Sequence, residues 1–465
     1  MGKEKIIIGT SSGANYFLEE EIGRGGQGRV FSIKGGKYAF KLIGKKTSSK
    51  AQLLKRKISY IKTRPIEDLP ISRPIEQVEG NALGYIMEMA TDMIPIEKLI
   101  KPDPTKDFTL WWNETGGLEK RISILKGIAE TLAKLHSRGF VYGDFSLSNI
   151  FVSKDKEYSE IFFIDSDNIT NTSKVGTAVY TLGYAAPEII KTDNHPPTSG
   201  YDTYTDDFSF AIIAYQLLTL NHPFIGDYVN DGEPELEEKA FLGKIPWVNH
   251  SSENLNTAKS GIPVSLTISK KMLGAFQLTF EKGITQKTKR TSSPKWFEIL
   301  SGAFDAIIEC KNTSCKQNFF FLKNLTCPFC EEKMSFVGLA RIHPLIKKMK
   351  DEVKYDFSVN LENIQNIGEA LSVKVMTPNN YLIFIENDFL LNSSNRQLFK
   401  IKLKSDSVFI KGITLKNVSI ISNKKYKKAV DITNEIKVTL TSDLILFFND
   451  LNKYQRILKL KKYST

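Results

Sequence analysis

Cysteine is scarce in this 465-residue chain: there are four, all between positions 310 and 330. That scarcity excludes a disulfide scaffold, and the clustering points to a metal site. Long apolar runs are also missing, since none approaches the ~20 residues needed to span a bilayer. The longest candidate, Phe208 to Leu218, is interrupted by Ser209, Tyr215 and Gln216 and reads as a buried helix, so no membrane span is expected. The opening Met1-Gly2-Lys3-Glu4-Lys5-Ile6 has no long apolar core and no small-residue cleavage site, so no secretory signal is expected and the expected location is cytoplasmic. Aromatics are not depleted, at 11%, which excludes a disordered chain. Acidic residues run short only at one end. Residues 1–310 hold 38 Lys+Arg and 38 Asp+Glu, whereas residues 311–465 hold 26 and 14, so the net charge of +12 belongs to the tail. A basic tail suits nucleic acid, an anionic membrane or an acidic protein surface, and equally a lysine-rich solvated face.

What is present begins with strands. Tyr16 to Ile22 leads into a glycine cluster, Val30 to Ile33 follows, and Lys34-Gly35-Gly36-Lys37 predicts a tight hairpin into Tyr38 to Leu42. A helix is predicted from about Ser48 to Lys62, then extended segments at Ile75 to Val78 and Leu83 to Met89. Ile122, Leu125, Ile128, Ala129, Leu132 and Leu135 recur with helical spacing between Leu118 and Ser137, and helical patterns dominate to about Gly302. From about Glu369 the pattern turns to short alternating runs separated by Asn, Gly, Asp or Ser, which predicts a small β-sandwich or barrel.

Gly23-Arg24-Gly25-Gly26-Gln27-Gly28-Arg29-Val30 lies between two strands. Glycines there let a backbone close over phosphates and turn N–H groups toward them, and a strand–turn–strand setting argues against a dinucleotide fold. The next strand brings Ala39-Phe40-Lys41. Further on, Leu135-His136-Ser137-Arg138-Gly139-Phe140-Val141-Tyr142-Gly143-Asp144 continues to Asn149 after a five-residue step. Asp165-Ser166-Asp167 follows the apolar run Ile161 to Ile164, and Thr181-Leu182-Gly183-Tyr184-Ala185-Ala186-Pro187-Glu188 comes after it.

This ordered set resembles the protein kinase superfamily. The resemblance implies an α+β, bilobal catalytic domain over about 1–302, with an N-lobe of about 1–90 and a C-lobe of about 91–302. It implies Mg-ATP as cofactor and transfer of the γ-phosphate to serine or threonine of a protein substrate. Asp144 then stands as catalytic base, Asn149 and Asp165 as magnesium ligands, and Lys41 as the phosphate-binding lysine. Gly23, Gly25, Gly28, Val30 and Ala39 would enclose the nucleotide, with Glu88 and Met89 of Met87-Glu88-Met89 as the hinge that meets adenine. Thr181 is expected beside Asp144, Asp206 at the start of a buried central helix, and Arg290 paired with Glu188.

The chain departs from the family at several points. Tyr142-Gly143 replaces His-Arg, so no arginine there clamps a phosphorylated loop, and activity without that step is expected. Ser146 stands where many members have lysine. The helix after Lys41 carries no glutamate to pair with it, leaving Gln52 as a neutral substitute, and Asp165-Ser166-Asp167 lacks the family's aromatic and glycine. These features resemble a divergent bacterial group often met with a PP2C-type phosphatase and a von Willebrand A-type partner. They leave open a pseudokinase, a nucleotide-binding scaffold that recruits a partner through its tail, and a small-molecule kinase. Retention of Lys41, Asp144, Asn149 and Asp165 together favours an active enzyme.

Cys310-x4-Cys315-x11-Cys327-x2-Cys330 has the spacing of a zinc ribbon, expected over about 308–333. Four ligands close a tetrahedron, so the Zn²⁺ is expected to be structural. Lys311, Lys316, Lys323 and Phe319 to Phe321 leave single-stranded nucleic acid binding open beside a simple packing role. A basic β-rich domain is expected over about 345–465.

Overall fold

The computed structural model describes residues 5–8, 13–25, 28–45, 51–78, 82–176, 178–192, 195–321, 325–333, 336–344, 372–376, 380–389, 396–422, 425–440, 444–448 and 456–464. The glycine-loop tip at 26–27, the expected helix start at 48, Lys323 and the start of the tail at 345 fall outside that set, as does the side chain of Gln52. The chain divides into two compact units, Met1–Leu300 and Ser301–Thr465.

In the first unit, β1 (Lys5–Ile8), β2 (Asn15–Gly25), β3 (Gly28–Ile33), β4 (Tyr38–Lys45), β5 (Glu76–Gln77) and β6 (Ala82–Glu88) form one sheet in the order β1-β2-β3-β4-β6-β5. Its pairs are antiparallel, with Lys41 directly opposite Tyr85 on the β4–β6 ladder. Side chains at opposed positions point to the same face of a sheet, and this pair carries its polar tips to one place. The two sides of the sheet bury different clusters: Leu18, Phe31, Ile33, Phe40 and Ile86 on one, Ala39, Ile58, Tyr85 and Met87 on the other. Ile58 comes from helix α1 (Ala51–Lys62), whose twelve residues include no acidic one.

The helical part is built on α2 (Phe108–Glu114), α3 (Gly117–Ser137) and α4 (Thr203–Thr219). The periodic residues Ile122, Leu125, Ile128, Ala129, Leu132 and Leu135 all lie buried along α3, which the 3.6-residue repeat requires of one packed face. Helix α4 is buried almost throughout. Its start is set by Asp202, whose side chain accepts from the Thr205 N–H while Thr205 Oγ1 accepts from the Asp202 N–H, a reciprocal cap that fixes the first turn. A small sheet of β7 (Met93–Pro95), β8 (Ile150–Ser153) and β9 (Ile161–Phe163) flanks the loop between α3 and α4. None of the described helices is long and apolar enough to cross a membrane.

The second unit is mostly strands. β10 (Ile307–Glu309) and β11 (Asn318–Phe320) pair as a hairpin whose connection holds Cys310 and Cys315, with Cys327 and Cys330 following β11. β12 (Phe336–Pro344), β13 (Ser372–Met376), β14 (Tyr381–Ile385), β15 (Gln397–Lys404), β16 (Ser407–Gly412), β17 (Asn417–Ser422), β18 (Lys425–Asp431), β19 (Ile436–Thr439), β20 (Leu444–Phe448) and β21 (Arg456–Ser464) form two further sheets. Their orders are β13-β12-β21-β20-β17-β18 and β14-β15-β16-β19. One apolar core joins residues of both, including Ile342, Phe399, Ile401, Val408, Ile420, Leu446 and Leu458. Alternation decides this: Ile401 and Leu403 face the core, while Lys400 and Lys402 point the other way.

Candidate active site

Three pieces of backbone converge beside Lys41. The first is the loop that follows α3. Asp206, in the first turn of α4, accepts from the N–H groups of Tyr142 at 2.7 Å and Gly143 at 3.0 Å and also contacts His136 Nε2 at 2.9 Å. A fully buried carboxylate with three such partners pins the loop from below. Burial opposes a charge on His136, but its bond to Asp206 prevails and holds the imidazole above its ordinary range. Gly143 has φ of +92°, and a Cβ there would sit 3.0 Å from the Tyr201 ring and 3.1 Å from the Asn168 carbonyl. Backbone and space together require glycine, which accounts for the missing arginine.

Asp144 follows. Its Oδ1 accepts from both the N–H and Oγ1 of Thr181, each at 2.8 Å. Burial raises the Asp144 carboxyl above the usual aspartate range, with the Thr181 bonds opposing it. Asn149 Nδ2 donates to the Asp144 carbonyl at 2.8 Å, which orients the amide oxygen away from that bond. Behind the loop, Tyr142, Phe145 and Phe163 pack edge-to-face with ring centroids 5.1 to 5.5 Å apart, an arrangement that holds aromatic rings in defined positions.

Asp165 opens the second piece. Its φ of +65° and ψ of +51° place a non-glycine residue in the left-handed region, at a cost in conformational energy that the surrounding contacts must hold. Its carboxylate bonds Lys41 Nζ, and burial raises it above the usual range while Lys41 pulls it down. Two residues on, Asp167 Oδ2 accepts from Lys41 Nζ at 2.6 Å and its Oδ1 accepts from the Tyr85 hydroxyl at 2.7 Å. The Asp167 side chain is 7% exposed and that of Asp165 22%, so Asp165 is the one that meets the cleft. Burial works against the Lys41 charge, but Asp167 and then Asp165 outweigh it and push the ammonium above the ordinary lysine range.

The third piece is the glycine turn. β2 and β3 bring Gly25 opposite Gly28, and Gly23 opposite Val30. At Gly28 φ is +145° and a Cβ would lie 2.3 Å from the Leu42 carbonyl, so only glycine fits. Ala39, buried, faces Met87 across the β4–β6 ladder. At the end of β6 the Met89 N–H is taken by the Lys37 carbonyl at 3.1 Å, and the Glu88 carbonyl accepts from Ser72 Oγ at 3.4 Å.

Away from the cleft, Arg290 grips Glu188 with two parallel bonds of 2.7 and 2.8 Å. The Arg290 side chain is fully buried, and the pair ties residues 102 apart in sequence. A cavity of about 480 Å³ lies between α1 and the chain leaving Asp167, lined by Arg56, Lys57, Tyr60, Ile169 and Tyr201. Asp167 also lines it, so the cavity reaches the carboxylate that bonds Lys41, while Lys41, Asp144 and Asp165 are not among its lining residues.

The structure thus gathers Lys41, Asp144, Asn149, Asp165 and Thr181 around one cleft, with Asp206 beneath and Glu188–Arg290 apart. Sequence reasoning passed over Asp167 and Tyr85. The signal for Asp167 was its place in Asp165-Ser166-Asp167; Tyr85 had none until strand register set it opposite Lys41. In the second unit the four Sγ atoms of Cys310, Cys315, Cys327 and Cys330 lie within 4.8 Å of one another. Two of the edges, Cys310–Cys330 and Cys315–Cys327, measure 3.6 and 3.9 Å.

Comparison with known proteins places this geometry. The model of the protein kinase domain matches residues 16–274, so the chain belongs to the protein kinase family. It is 27% identical over 236 residues to calcium-dependent protein kinase 5 of Plasmodium berghei, covering 49% of this chain and 38% of that protein. It is 33% identical over 102 residues to serine/threonine-protein kinase cds1 of Schizosaccharomyces pombe, 22% of either chain. With myosin light chain kinase A of Dictyostelium discoideum the identity is 24% over 289 residues, 52% of this chain and 92% of that one. The chain spans well under half the length of the first two.

Proposed function

We propose that the chain is an active kinase that transfers the γ-phosphate of Mg-ATP to serine or threonine hydroxyls of a protein. The observation that carries this is Asp144 itself. Its Oδ1 is fixed by two bonds from Thr181, so the second oxygen is presented to an incoming hydroxyl as the acceptor of its proton. The Asn149 amide oxygen and the Asp165 carboxylate would hold Mg²⁺, which when bound neutralises charge on the transferring phosphoryl group. Lys41 would hold phosphates, and the turn Gly23–Gly28 would cover them. Adenine would meet backbone near Glu88 and Met89. Charge complementarity, positioning of the hydroxyl and a carboxylate acceptor are the parts that phosphoryl transfer needs.

For the cysteine cluster we propose one structural Zn²⁺. A tetrahedron with Zn–S of about 2.3 Å has S–S edges of about 3.8 Å, matching the 3.6 and 3.9 Å edges seen. Metal analysis should find one zinc per chain, lost in Cys310→Ser/Cys327→Ser; a metal-free, folded wild type would remove the assignment.

The deciding experiment is transfer of labelled γ-phosphate to a generic protein acceptor, with Asp165→Ala as control. Label on serine or threonine that vanishes in the control supports the reading. ATP binding without transfer would leave a nucleotide-binding scaffold instead.

A further inference from the structure

Among protein kinases of this kind a lysine on the third long strand needs an acidic partner to hold it against the phosphates, and helix α1 offers none. We infer that Asp167 is that partner: a positioning residue, anchored by Tyr85, that holds Lys41 from the loop behind the proposed metal site and not from helix α1. The inference rests on the proposed Mg-ATP site.

The geometry is specific. Lys41 and Tyr85 are directly opposed on adjacent strands, and the two oxygens of one carboxylate divide between them, Oδ2 to Lys41 at 2.6 Å and Oδ1 to the Tyr85 hydroxyl at 2.7 Å. All three side chains are buried, with residue exposures of 5% for Lys41, 6% for Asp167 and 1% for Tyr85. An ion pair held on both sides by hydrogen bonds inside the protein has one arrangement, whereas an exposed pair samples many. Asp165 also bonds Lys41, yet it is the more exposed carboxylate and the one assigned to the metal. With Asp165 holding the proposed Mg²⁺, Asp167 would still hold the Lys41 ammonium. Without Asp167, Lys41 would pair with Asp165 alone, and metal and lysine would compete for one carboxylate.

Two consequences separate this from a merely structural bond. The chain should need no inward movement of α1 to become competent, since that helix carries no acidic residue. Loss of Asp167 should also change the metal requirement, which a packing defect would not do.

The test uses the full chain and three variants: Asp167→Asn, which keeps shape and removes charge, Asp167→Glu, and Tyr85→Phe. ATP affinity by calorimetry, the Mg²⁺ concentration giving half-maximal ATP binding, and kcat/KM are measured, with thermal melting to confirm folding. For Asp167→Asn the expected results are kcat/KM down about a hundredfold, the size that misplacing a positioned group produces, and a severalfold rise in the Mg²⁺ requirement. Tyr85→Phe should lose about fivefold, the worth of about one hydrogen bond, and should add nothing further in the Asp167→Asn background. Asp167→Glu should recover part of the loss. A folded Asp167→Asn with wild-type ATP affinity, Mg²⁺ requirement and kcat/KM overturns the inference. If wild type binds Mg-ATP but transfers nothing, the binding measurements alone decide, and they must still weaken in Asp167→Asn. If wild type binds no nucleotide, the site reading and this inference fall together.

Discussion

In the unit Met1–Leu300, Lys41, Asp167, Asp206, Asp207 and Arg290 are all buried; in Ser301–Thr465 the buried side chains are mostly aliphatic or aromatic, with Gln317, Glu386, Ser407 and Ser419 as polar exceptions among the described residues. Both units fold around apolar cores, so the contrast is not one of stability. A buried charge costs several kcal/mol of desolvation that pairing only roughly offsets, and an apolar replacement is often as stable. Buried ionic groups in the first unit are therefore placed for geometry. Asp206 holds the Asp144 loop, Asp167 holds Lys41, and Glu188–Arg290 ties distant segments. Apart from Glu386, the described charges of the second unit lie at least partly exposed, on faces such as that of Lys400 and Lys402, whose ammonium groups lie 4.2 and 4.6 Å from the Tyr381 ring.

The contrast predicts that single polar changes act on function or on the whole first unit, whereas the second unit answers mainly to volume. Asp144→Asn should lower phosphate transfer by about 10³-fold, within the range for loss of a general base, with an unchanged melting curve; near-wild-type transfer would break the comparison at its strongest point. Glu188→Ala should lose about 3–5 kcal/mol in denaturant unfolding, because it strands a fully buried guanidinium. An effect below 1 kcal/mol would place that pair among surface bridges. Ile401→Ala should lose about 3 kcal/mol through a cavity in the core of the second unit, shifting one calorimetric transition and leaving transfer unchanged.

The smallest effect concerns pH. His222 Nε2 contacts the Gly183 carbonyl at 2.7 Å and its Nδ1 accepts from the Phe224 N–H at 3.2 Å, a neutral ring with both nitrogens used. Burial pushes its pKa down to about 4. The unfolded chain, with histidine near its ordinary value of about 6.5, then binds the proton more readily, so stability is full above that pH and falls as pH drops toward 4. The loss should reach roughly 2–3 kcal/mol by pH 4, and urea midpoints measured between pH 7 and 4 should lose most of that slope in His222→Gln.

Much of the site was legible because phosphoryl-transfer parts recur at spacings set by local backbone. The glycine turn between strands, the step from Asp144 to Asn149 and the segment Thr181–Glu188 each lie within a few residues, where turn and strand geometry leave little freedom. Partners such as Thr181 for Asp144 and Arg290 for Glu188 were legible only through family resemblance, since their separations of 37 and 102 residues are beyond any local rule. The sequence offered Gln52, on the helix after Lys41, as its neutral partner, and that side chain lies outside the described residues, whereas Asp167 bonds Lys41 from the loop. Helix α1 reads as a helix from its own residues, but which loop carboxylate reaches a strand lysine depends on how β6 registers with β4. The alternating runs of the tail announced strands without their order, because a period of two says which residues share a face and nothing about which strands pair.

By itself, then, the sequence determined the elements, the two contrasting compositions, the cysteine spacing and the set of candidate groups that the proposed phosphate transfer would use. Those follow from backbone propensity, periodicity and side-chain chemistry, all of which act over a few residues. Tertiary structure alone decided that Lys41 and Tyr85 share the Asp167 carboxylate, that Asp206 sits beneath Asp144, that Gly143 has no room for a side chain, and that two sheets enclose one core in the tail. Each is a contact between residues far apart in the chain, and only the folded backbone brings such groups within hydrogen-bonding or van der Waals reach.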